Sequence, residues 1–107
     1  MKKTRMQIIG AFKSLSWLAD QDVDTYLSLR ILNVMLFHNE IKKEIDDYSA
    51  KISSENDNLE EVGLKISDFI NEEVEVKWTI PFDDLMVERI KISASKLSDL
   101  LVFMDKT

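Results

Sequence analysis

The residues whose types and spacing could do chemistry are few: one histidine, His38, and a set of carboxylates on either side of a charged turn. Glu40, Glu44 and Asp47 recur at i, i+4 and i+7, so a helix would carry them on one face. Glu60, Glu61 and Asp68 could approach them from a returning helix. Carboxylates from adjacent helices are how all-α nucleotide pyrophosphohydrolases hold magnesium for attack on a phosphate chain. The spacing matches that paired Glu/Asp signature poorly, and Lys42, Lys43 and Lys65 lie close by, so a solvated acidic face is the simpler reading. His38 could serve as a switch residue or a metal ligand. A single histidine in a chain without cysteine is a poor metal site, and His38 reads better as a polar seam residue that fixes register or partner choice.

Other chemistries lack their parts. No G-x-S-x-G turn, P-loop or G-x-G-x-x-G occurs, and only Gly10 and Gly63 could cradle a phosphate. Lys2, Lys3, Arg5 and Lys13 form one basic end, and Arg89, Lys91 and Lys96 another, without the interleaved aromatics of a nucleic-acid module. The net charge of −6 repels phosphate backbones. A non-enzymatic protein without metal or cofactor is expected.

The elements that must position these residues are helical. The chain has 107 residues, 45% of them apolar, with two glycines and one proline, which suits one domain with a single core and few elaborate loops. A first helix is expected over about Thr4–Ala19, with residues 1–20 as its segment, on a stripe of Ile8, Ile9, Phe12, Leu15 and Ala19. Asp22 or Asp24 can cap the next helix. There Leu27, Ile31, Val34, His38, Ile41, Ile45, Tyr48 and Ile52 alternate spacings of four and three, a heptad seam that keeps one stripe facing a partner. About thirty such residues would span roughly 45 Å. From Leu27 to Phe37 the helix is apolar on nearly all sides, whereas from Glu40 onward charges surround the seam. The first half should be enclosed by other elements or another chain, and the second should be an open arm.

Ser53–Asn58 reads as a polar tip, after which Leu59, Val62, Ile66 and Phe69 return along the arm, so residues 22–73 form a helical hairpin. Gly63 in the returning helix implies close helix approach. The period changes to two at Val74, Val76, Trp78 and Ile80, and again over Val87–Ser93, so residues 74–93 are expected to form a two-stranded antiparallel ribbon. Residues 94–105 follow as a C-terminal helix on Leu97, Leu100, Leu101 and Met104, capped by Ser93 or Ser95. The expected fold is therefore mainly α with a small β-hairpin.

The pieces, in order, are Leu15-Ser16-Trp17-Leu18, Ser28-Leu29-Arg30-Ile31-Leu32, Glu40-Ile41-Lys42-Lys43-Glu44-Ile45, Glu72-Glu73-Val74-Glu75-Val76 and Ile90 to Leu100. Across most of the chain this order and apolar pattern resemble a small phage and prophage protein family known only as a domain of unknown function. The resemblance implies an accessory or structural protein of a virus in a bacterial host, and it supplies no catalytic residues. Together with the heptad seam it points to a protein partner, a second copy included, because an all-round apolar segment needs more cover than this chain offers. No segment reads as a signal peptide or membrane span, so the cytosol, or a virion, is the expected location. Two alternatives remain. A metal-dependent nucleotide pyrophosphohydrolase would need Glu40, Glu44 and Asp47 to face Glu61 or Asp68, and a nucleic-acid-linked regulator would need the basic ends to converge.

Overall fold

A computed structural model describes residues 1–105, which are mainly helical. Strand β1 (Lys2–Thr4) leads into α1 (Arg5–Gly10) and α2 (Phe12–Ala19), followed by the long α3 (Thr25–Glu55) and α4 (Leu59–Ile70). Then come β2 (Glu73–Glu75), β3 (Ile80–Pro81), α5 (Phe82–Val87), α6 (Ala94–Leu100), a 3₁₀ turn (Leu101–Phe103) and β4 (Met104–Asp105).

The helical hairpin forms as the heptad spacing predicts. Asp24 caps α3, its side chain accepting from the Leu27 amide at 2.8 Å. Asn58 does the same for α4, accepting from the amides of Glu60 and Glu61, whose acidic side chains also suit a helix N-terminus. α4 packs along the second half of α3, where Ile52 and Val62 are buried and Tyr48 stacks on Phe69 with ring centroids 4.1 Å apart. Gly63 does not serve a close approach: a Cβ built there would meet nothing within 4 Å.

The first helix differs from expectation at both ends of α1. Residues 2–4 are a strand, because Thr4 is the cap. Its hydroxyl accepts from the Gln7 amide while the Gln7 side chain accepts from the Thr4 amide, a reciprocal box that starts the helix at Arg5. At Ala11 the backbone leaves helical geometry (φ −83°, ψ 2°), which separates α1 from α2, and both pack on α3.

A two-stranded antiparallel sheet is present, but its partner strands are β1 and β2, not two segments of 74–93. Lys2 stands opposite Glu75, Lys3 opposite Val74 and Thr4 opposite Glu73, so opposite charges meet across the ladder. The Met1 ammonium reaches Glu75 at 2.8 Å and, with Lys2, holds that carboxyl below its ordinary range. The segment expected as a second ribbon strand, Val87–Ser93, forms none: α5, opened by Pro81 and by Asp83 and Asp84 in its first turn, runs up to Val87, and a turn follows it. Arg89, at φ 55°, then turns the chain, and Ile90 and Ile92 are half-buried against the core without entering a ladder. The C-terminal helix is likewise shorter than 94–105. Ser93 caps α6, which tightens into the 3₁₀ turn, and Met104 enters β4 parallel to β3.

One hydrophobic core gathers at one end of the molecule. Ile8, Leu15 and Leu18 of α1 and α2, Leu27 to Ile41 along α3, Ile80, Leu85, Leu100 and Phe103 supply it. The principal extents are 52 × 21 × 21 Å and the radius of gyration is 15.9 Å. A compact chain of this length would have about 13 Å, so the excess reflects the α3–α4 arm.

Candidate interaction surface

The heptad seam proposed as the interaction face is consumed within the chain. Leu27, Ile31, Val34 and Ile41 are buried in the core, Ile45 is half-buried against it, Tyr48 packs on Phe69, and Ile52 is buried along the arm. His38 is buried as well. Its ring lies 5.3 Å from that of Phe12, its Nδ1 is 3.5 Å from the Asn39 side-chain oxygen, and its Nε2 has no hydrogen-bond partner. The same spacing that suits a second chain suits folding back on oneself, and here α1, α2 and α4 occupy the seam.

The opposite face of α3 is where apolar surface remains. At 100° per residue, Leu29, Leu32 and Leu36 fall on the side of the helix away from Leu27, Ile31 and Val34. They are 56%, 50% and 53% exposed. Three half-exposed leucines at i, i+3 and i+7 make a contiguous stripe, and full burial of one such side chain is worth about 1.5–3 kcal/mol. Beside it lies a depression of about 120 Å³, lined by Ala19, Gln21, Val23, Ser28, Ile31, Leu32 and Met35. A second shallow hollow, about 170 Å³, opens between α5 and α6 among Phe82, Leu85, Met86, Ile90, Ile92 and Leu97. The outer stripe was legible as a second 3–4 spacing inside Leu27–Phe37, but it overlaps the seam in sequence and nothing in the pattern says which stripe faces inward.

The acidic candidates do not assemble. Glu40 binds Lys77 at 3.3 Å, Glu44 binds Arg5 at 3.2 Å, and Glu61 pairs with Lys65 on its own helix. Among the described residues no three His, Asp or Glu side chains are grouped to hold a metal ion. The basic ends are partly spent on internal contacts. The Arg5 guanidinium lies 3.8 Å over the Phe69 ring, donates to the Phe69 carbonyl and meets Glu72, while Lys96 covers the Trp17 ring. Arg30, on α3, points inward too, donating twice to the Thr79 carbonyl. Sequence reasoning had no signal for Arg5 and Arg30 as clamps, because their partners lie 39 to 67 residues away.

No described helix is long and apolar enough to cross a membrane. Comparison with protein-family models, with curated proteins and with solved structures finds no match.

Proposed function

We propose that this protein is a non-enzymatic interaction module that docks a protein partner on the outer face of α3. The observation that carries the reading is the stripe of Leu29, Leu32 and Leu36, half-exposed on a rigid helix whose other face is locked into the core. Rigid presentation lowers the entropy lost on binding, and apolar anchors at helical spacing are the usual way a helix is read by a partner. The resemblance to phage and prophage accessory proteins, which rests on element order and apolar pattern, supports reading such a module as a viral accessory or structural protein within a bacterial cell.

Affinity capture by the intact protein tests the reading, set against a Leu29→Glu/Leu36→Glu variant with an unchanged circular dichroism spectrum. Proteins held by the native chain, a second copy included, should be lost from the variant. If both retain the same set, the outer stripe is not the docking face.

A further inference from the structure

We draw no further inference here: the strongest candidate, the apolar hollow between α5 and α6 lined by Phe82, Met86, Ile90 and Leu97, is an unpartnered apolar face, and nothing in the structure shows what covers it.

Discussion

At the scale of single residues, the molecule carries two local costs that report on what is and is not functional. His38 sits in the core with Nε2 unsatisfied, and a buried donor or acceptor without a partner costs about 1–3 kcal/mol. Replacing it by leucine should therefore raise stability by about 1 kcal/mol in urea denaturation, with the Phe12 contact retained as apolar packing. A loss of more than 1 kcal/mol would show that the imidazole is better satisfied in solution than its geometry indicates. Gly63 is the second cost. The sequence suggests a glycine kept for close packing, whereas the space around it is open, so Gly63→Ala should stabilise α4 by about 1 kcal/mol, read as a rise in thermal midpoint. Arg5 is the opposite case, a residue that ties three elements at once. It bonds to Glu44 on α3, to the Phe69 carbonyl on α4 and to Glu72 beyond it, and stacks on the Phe69 ring. Lysine has neither the planar fork nor the stacking surface, so Arg5→Lys should lose about 1 kcal/mol or more despite keeping the charge.

At the scale of elements, α3 organises the fold and its start is a single side chain. Asp24 is the side-chain cap at the N-terminus of a 31-residue helix, and Asp24→Ala should cost about 1 kcal/mol, visible as a lower midpoint in thermal denaturation. The helix was legible because thirty residues of sustained 4–3 spacing leave no competing reading. Its return partner α4 was legible for the same reason. The short elements were not. The alternation of Ile90 and Ile92 with Arg89 and Lys91 is what a strand would show, yet Val87 ends a helix, and a turn and irregular chain follow it. Two-residue periodicity over five positions is satisfied equally well by irregular chain laid across a core. β1 was hidden for a different reason. Lys2, Lys3 and Thr4 have no apolar pattern, and their extended form is decided by the Thr4–Gln7 box and by a sheet partner some seventy residues away.

At the scale of the whole molecule, stability is distributed unevenly. The core at one end is built from α1, α2, the first half of α3 and the C-terminal elements, while the arm beyond Ile45 rests mainly on Tyr48, Ile52, Val62 and Phe69. Leu27→Ala, at a fully buried site, should cost about 3 kcal/mol, and Ile52→Ala, at the thinner arm, less. Amide hydrogen exchange should show the same gradient, with α4 opening well below the global unfolding free energy and the first half of α3 exchanging only through it. An arm of roughly constant protection with the core would contradict that division.

By itself the amino-acid sequence determined the helical class, the long α3, the hairpin and the change of character near His38. Each of these follows from local periodicity and capping, which neighbours along the chain decide. The tertiary structure alone decided which stripe of α3 is inside, that β1 pairs with β2, and that Glu40 and Glu44 face cations. The physical reason is common to all three. Leu27–Phe37 carries two apolar stripes of similar strength, and burying one requires partners more than a dozen residues distant, whose arrival local pattern cannot foretell. Once α1 and α2 have covered the seam of Leu27, Ile31 and Val34, the stripe of Leu29, Leu32 and Leu36 is what remains exposed.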